Sequence, residues 1–152
     1  MLKYDLHSHT TCSDGRLTPE QLVQRAADKG VDVLAITDHD NISGLAPAQD
    51  YIDQQQLPLT LISGVEISTS WANHEIHIVG LQVNPQDIHL TTLLEQQRAR
   101  REQRARLIGE RLERAGIPDA YQNARRIAGD AAISRSHYAK YLIELGLSLI
   151  HI

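Results

Sequence analysis

The segment from Thr18 to Thr37 constrains the fold more than any other part of the chain. Thr18-Pro19-Glu20-Gln21 is a helix start: a hydroxyl to cap it, proline at the first helical position, and a glutamine placed to reach back to the capping residue. Leu22, Val23, Ala26 and Ala27 follow as an apolar stripe at helical spacing, and Gly30 is placed to end the helix. The run Val33-Leu34-Ala35-Ile36-Thr37 lacks polar alternation, so it reads as a strand buried on both faces of a parallel sheet. With Lys3-Tyr4-Asp5-Leu6-His7 as a short strand before it, the segment is a βαβ unit.

The pattern recurs more weakly: a helix near residues 45–55, a break at Leu57-Pro58, a strand in LTLIS, and two more strands around VEIST and EIHIVGL. Strands alternating with helices predict an α/β sheet or barrel. From Leu90 the character changes to a long charged helix ending near Ala115-Gly116, with shorter helices expected around residues 121–128 and 136–145. A length of 152 residues supports one sizeable core, so one compact unit is expected.

The formal net charge of -4 gives no general attraction to nucleic acid or anionic membranes. Cys12 is the only cysteine, which excludes an internal disulfide, a cysteine-based zinc site and a CxxC redox pair. No stretch is apolar enough to cross a bilayer, and MLKYD does not lead into a secretion signal, so a cytoplasmic location is expected.

The polar clusters fall where strands end: Asp5-Leu6-His7-Ser8-His9, then Asp38-His39-Asp40, then Glu66 at a Gly-Val-Glu corner, with His77 inside a strand. In parallel α/β folds the carboxyl ends of strands share one rim, where ligands gather. Alternation along a strand sends His7 and His9 to one face, where both can reach one ion. Imidazole with carboxylate suits Zn, Mn or Fe, and this many donors leaves room for more than one ion.

Four words, DLHSHTTCSDG, AITDHD, GVEIS and HEIHIVG, resemble the polymerase and histidinol phosphatase (PHP) domain family in order and content. Within it the chain is similar to bacterial enzymes that remove the 3′ phosphate of nucleoside 3′,5′-bisphosphates and trim short RNA from its 5′ end. The resemblance implies the first part of a distorted (β/α)7 barrel with a helical insertion. It assigns residues 1–88 to the barrel with its metal site, and residues 89–146 to a helical subdomain that caps the substrate. Residues 147–152, SLIHI after Leu147 included, are expected to be the atypical tail of a truncated chain. His7, His9 and Glu66 would hold one ion, Glu66 and His77 a second, and Asp14 and His39 a third, with Glu66 bridging. The expected ions are divalent, manganese ahead of zinc, iron or magnesium. The family completes its set with a later His and a later Asp-x-His pair that have no counterpart here; His151 does not match.

Ser134-Arg135-Ser136-His137 resembles the family's Arg-x-His segment that reaches the substrate phosphate, which makes Arg135 and His137 the expected substrate-binding residues. Asp5, Asp38 and Asp40 read either as carboxylates that orient the neighbouring imidazoles or as exposed loop residues. Cys12 reads as a small buried thiol, Trp71 as packing or a base-stacking platform, and His74 as a surface residue facing away from His77. On the charged helix, Glu102 with Arg106 and Glu110 with Arg114 have ion-pair spacing, and the arginines present either a solvated face or contacts to RNA.

The expected function is phosphate-ester hydrolysis by hydroxide held between metal ions, with no protein nucleophile, acting on a phosphorylated nucleotide or short RNA. An amidohydrolase-type reaction and a non-catalytic scaffold are the alternatives. No membrane partner and no DNA-binding module are expected.

Overall fold

A computed structural model describes residues 1–72 and 74–147; the tail residues Ser148 to Ile152, His151 among them, lie outside the described residues. The chain is mixed α/β and divides into two compact units, Met1–Gln97 and Arg98–Ile152. The single core expected from chain length is therefore replaced by two, each with its own buried cluster.

The first unit runs β1 (Tyr4–Ser8), α1 (Pro19–Asp28), β2 (Val33–Ile36), α2 (Leu45–Gln55), β3 (Thr60–Trp71) and β4 (His74–Leu81). The strands form one sheet in the order β1-β2-β3-β4, parallel from β1 to β3 and antiparallel between β3 and β4. The helix start at Thr18 folds as its chemistry dictates: Thr18 Oγ1 accepts the Gln21 amide at 3.3 Å, and Gln21 Oε1 accepts the Thr18 amide at 3.0 Å. Gly30, at φ +69, ends α1 in a conformation costly for any residue with a Cβ. Val23 and Ala26 of α1, Leu34 and Ile36 of β2, and Leu45, Ala48 and Ile52 of α2 interlock with Leu59 as the core. Full burial of such aliphatic side chains contributes about 1.5–3 kcal/mol each for the larger ones.

The two strands expected in LTLIS and VEIST are one strand of 12 residues. Thr60 to Ser63 pair with β2, and Gly64 to Trp71 pair with β4, so the strand changes partner without turning. Gly64, which opens the Gly-Val-Glu corner, is a close approach inside the strand: a Cβ there would lie 2.7 Å from Thr37 Cγ2 and 2.8 Å from Ile36 O.

α3 (Ile88–Arg114) is followed by α4 (Ala120–Ala128) and α5 (Arg135–Glu144). The second unit's core sets Ala105, Ala120, Ala124 and Ala128 against Ile133, Tyr138 and Tyr141. Gly109 is required by this packing, because a Cβ would sit 2.7 Å from Tyr121 Cβ. Tyr138 donates to Ala105 O at 2.5 Å, and Tyr141 to Pro118 O at 2.7 Å, so both phenols are buried with their polar ends satisfied. The expected pairs of Glu102 with Arg106 and Glu110 with Arg114 form at 3.3 and 3.5 Å. Among the described residues, no helix is long and apolar enough to cross a membrane.

Candidate metal centre

Glu66 organises the rim of the first unit. Its side chain leaves β3 beside the carboxyl ends of β1 and β2, and the residue is 5% exposed. One oxygen, Oε2, lies 2.8 Å from His7 Nε2 and 3.1 Å from His9 Nε2; the other, Oε1, lies 2.7 Å from His77 Nδ1. His9 lies just past the end of β1, yet it still reaches the face that His7 reaches. His77 joins from β4 because the hairpin register opposes it to Ser68, placing it diagonal to Glu66 on one face.

His39 is fixed by main-chain bonds. The Asp40 amide donates to Glu66 O at 2.9 Å and the Glu66 amide to Asp38 O at 3.1 Å, bridging residue 39 to residue 66. Asp40 itself adopts φ 48 and accepts the Ser68 amide at 2.8 Å. His39 Nδ1 comes to 3.8 Å from Glu66 Oε2, and its Nε2 to 3.8 Å from Asp14 Oδ1. Asp14 is carried by a loop that folds back on itself, with Gly15 N donating to Thr10 O at 2.9 Å. A Cβ at Gly15 would lie 2.4 Å from His9 O, so only glycine allows this loop its path.

All six residues expected as metal ligands thus lie together, in three overlapping sets: His7, His9 and Glu66; His9, Asp14 and His39; His39, Glu66 and His77. Within each set the donor atoms lie within 4.8 Å of one another. A tetrahedral site with bonds of ~2.0–2.1 Å has donors about 3.3 Å apart. The 2.8 to 3.1 Å separations among His7, His9 and Glu66 are within a few tenths of an ångström of that edge. Two imidazole nitrogens facing each other across 3.1 Å beside a buried carboxylate form a donor set that fits a divalent cation. Burial raises the Glu66 carboxyl's pKa, but the hydrogen bonds of His7 and His77 and the charges of His39 and His9 outweigh it and hold the group below its ordinary value.

The flanking aspartates differ in burial and in what they hold. Asp38 is fully buried and accepts from the Thr10 amide, the Thr10 hydroxyl and the Ser13 hydroxyl. Asp40 is buried and serves the main chain of β3, while Asp5 is exposed. Thr10 and Ser13 were missed by sequence reasoning; their only signal was position inside the His-to-Asp loop. Cys12 is half-buried, with its carbonyl accepting from Asn41 Nδ2 at 2.7 Å. Trp71 is 74% exposed near the hairpin tip, opposite His74.

Arg135 and His137 belong to the second unit. Arg135 is exposed at the first position of α5. His137 is buried, and its Nδ1 accepts the Ser134 amide at 2.9 Å, so the ring serves the cap of α5.

An α/β rim that gathers four histidines around a buried glutamate presents donor sets of the kind that hold divalent metal ions. The chain belongs to the PHP domain family, whose defining sequence pattern matches residues 5–149. It is 55% identical over 143 residues to the 5′-3′ exoribonuclease Rnm of Escherichia coli strain K12, covering 94% of this chain and 49% of that protein. To the 3′,5′-nucleoside bisphosphate phosphatase of Chromobacterium violaceum it is 41% identical over 147 residues, covering 96% of this chain and 51% of that one. The chain therefore spans about half the length of these relatives. Among solved structures, an amidohydrolase from Chromobacterium violaceum with bound sulfate and no metal superimposes with a TM-score of 0.87 at 40% identity, over 95% of this chain and 50% of that one. A protein from Bifidobacterium adolescentis classed as a metal-dependent phosphoesterase superimposes with a TM-score of 0.79 at 28% identity, over 95% and 51%.

Proposed function

We propose that this chain supplies the first half of the metal centre of a phosphoesterase that hydrolyses the 3′ phosphate of nucleoside 3′,5′-bisphosphates and trims the 5′ ends of short RNA. The observation that carries this reading is the convergence of His7, His9 and His77 on the two oxygens of one buried carboxylate, Glu66. The names of the relatives supply the substrate class. Glu66 is proposed to bridge two ions, one shared with His7 and His9 and one with His77, while Asp14 and His39 serve a third. Divalent ions held there, with manganese the first choice, would lower the pKa of bound water toward ~7 and offset charge on phosphate oxygens. The protein's own part is to hold the imidazoles in place, and to present Arg135 as a planar fork for the phosphate.

In the proposed whole, the first unit is part of a (β/α)7 barrel and the helical part is its substrate cap. A later His and a later Asp-x-His pair, as the family resemblance has it, would complete the ligand set. The test is release of inorganic phosphate from a nucleoside 3′,5′-bisphosphate with added manganese. The chain should be compared with the same chain joined to the later half of the exoribonuclease Rnm. The reading expects the joined form to turn over and His7→Ala within it to be inactive. A joined, folded, metal-loaded protein without phosphate release contradicts it.

The amidohydrolase name of one structural neighbour favours a second reading, hydrolysis of an amide or lactone. A cyclic amide offered in the same assay separates the two.

A further inference from the structure

We propose that Asp38, acting through the Ser13 hydroxyl, fixes the tautomer and orientation of His9 and so commits its Nε2 to the ion shared with His7 and Glu66. The inference rests on the reading of His9 as a metal ligand and adds two positioning residues to it.

A fully buried carboxylate needs donors, and the described contacts of Asp38 supply them. Oδ1 accepts the Thr10 amide at 2.7 Å and the Ser13 hydroxyl at 2.5 Å, and Oδ2 accepts the Thr10 hydroxyl at 2.6 Å. The carboxylate also lies against the first turn of α2: a Cβ at Gly44, the residue capping that helix, would come within 3.1 Å of Oδ2. A helix start favours negative charge, which helps explain why a carboxylate is tolerated there.

The consequence follows from counting protons. A serine hydroxyl has one proton to give, and Ser13 gives it to Asp38. Toward His9 Nδ1, 3.5 Å away, the same oxygen can then only accept. That contact is long for a hydrogen bond, but Asp14 Oδ1, 3.7 Å from the same nitrogen, is also an acceptor when ionised. Both neighbours therefore favour a proton on Nδ1. Nε2, itself 3.1 Å from Glu66 Oε2 and 3.1 Å from His7 Nε2, then keeps its lone pair for an ion held among the three. Which ring nitrogen binds a metal is set by the bond the other makes, and here that bond leads to a buried, immobile anion. It also assigns His9 to the His7 and Glu66 set, leaving Asp14 and His39 to the neighbouring one.

A purely structural role for Asp38 would give the same hydrogen bonds, so the test must read His9 itself. Zinc affinity would be measured on the chain by competition with a chelating dye, for the unsubstituted protein and for Ser13→Ala, Asp38→Asn and Ser13→Thr. Nitrogen-15 histidine spectra and melting curves, both of the metal-free forms, would accompany it. The expected result is that Ser13→Ala and Asp38→Asn weaken zinc binding about 10- to 100-fold, the range for losing an outer partner of a metal-bound histidine. The His9 spectrum should change from proton on Nδ1 to exchange between tautomers, while His77 is unchanged and Ser13→Thr keeps both properties. Variants that melt earlier but bind zinc as tightly as the parent, with an unaltered His9 spectrum, overturn the inference and leave Asp38 a loop anchor. A folded parent chain that binds no zinc overturns the metal reading itself, and this inference with it.

Discussion

His77 Nδ1 lies 2.7 Å from Glu66 Oε1, eleven residues away along the chain and diagonal to it across the β3–β4 hairpin. The hairpin thus supplies two of the six rim side chains, and its register decides whether they meet. A slip of one residue would send His77 to the opposite face.

Gly15 governs how the loop carrying Asp14 returns to His9. Gly15→Ala places a Cβ against main-chain atoms that cannot swing aside, so the loop itself must move. The expected cost is roughly 1–3 kcal/mol, as for other overpacked sites. Metal content should fall in the same variant. Urea unfolding beside metal analysis checks this, and a variant equal to the parent in both would contradict the close approach.

Tyr138 is a predicted late titrator. Burial pushes its phenol up to about 12, with the charge of nearby Tyr121 adding to it. A group with a raised folded value contributes stability that is present below the unfolded pKa and lost as pH rises through the folded one. For Tyr138 that loss falls between about 10 and about 12. Ultraviolet titration of the five tyrosines should show one that ionises only as the second unit unfolds, and Tyr138→Phe should remove it. Five phenols titrating together would contradict the assignment.

Glu102 gives the opposite sign. Burial raises its pKa, but the hydrogen bond from Tyr121 and the charges of Arg125 and Arg106 prevail and lower it. Its stability contribution is present above the unfolded value of about 4 and lost as pH falls through the lowered one. Arg125 also donates to Ala131 O at 2.8 Å, so the pair ties α3 to the turn before α5. Glu102→Gln should melt earlier than the parent at pH 7, and the gap should close on acidification. A gap independent of pH would return the pair to an ordinary exposed contact.

Arg135→Lys should weaken substrate binding without changing metal content, because a point charge does not replace a planar fork. Rate against substrate concentration in the joined, active form reads this as a raised KM at similar kcat. An unchanged KM removes Arg135 from the substrate site.

What was legible in the sequence was local. The Thr18 and Gln21 cap, the stop at Gly30 and the pairing of His7 with His9 each follow from residues within a few positions of one another. The continuity of β3 was hidden, because the reason for Gly64 is the side chain of Thr37, just past the end of β2 and distant in sequence. The role of Asp38 was hidden likewise, since its partners lie 25 and 28 residues away, inside a motif whose histidines and Asp14 carried the chemical signal. The second core was missed because four of its members are alanines, whose small side chains give little apolar signal against the charges of α3 and α4. Glu66 and His77 were readable as candidates from the words around them, but their meeting depends on hairpin register.

The central claim is that Glu66 holds the ligand set together. Metal per chain after equilibrium dialysis against manganese or zinc, for the parent, Glu66→Ala and Asp14→Ala, tests it most directly. The account predicts that the parent binds metal and that Glu66→Ala loses more of it than Asp14→Ala, because a bridging carboxylate serves two ions. Equal losses in the two variants, or a Glu66→Ala chain that keeps its metal, would contradict it.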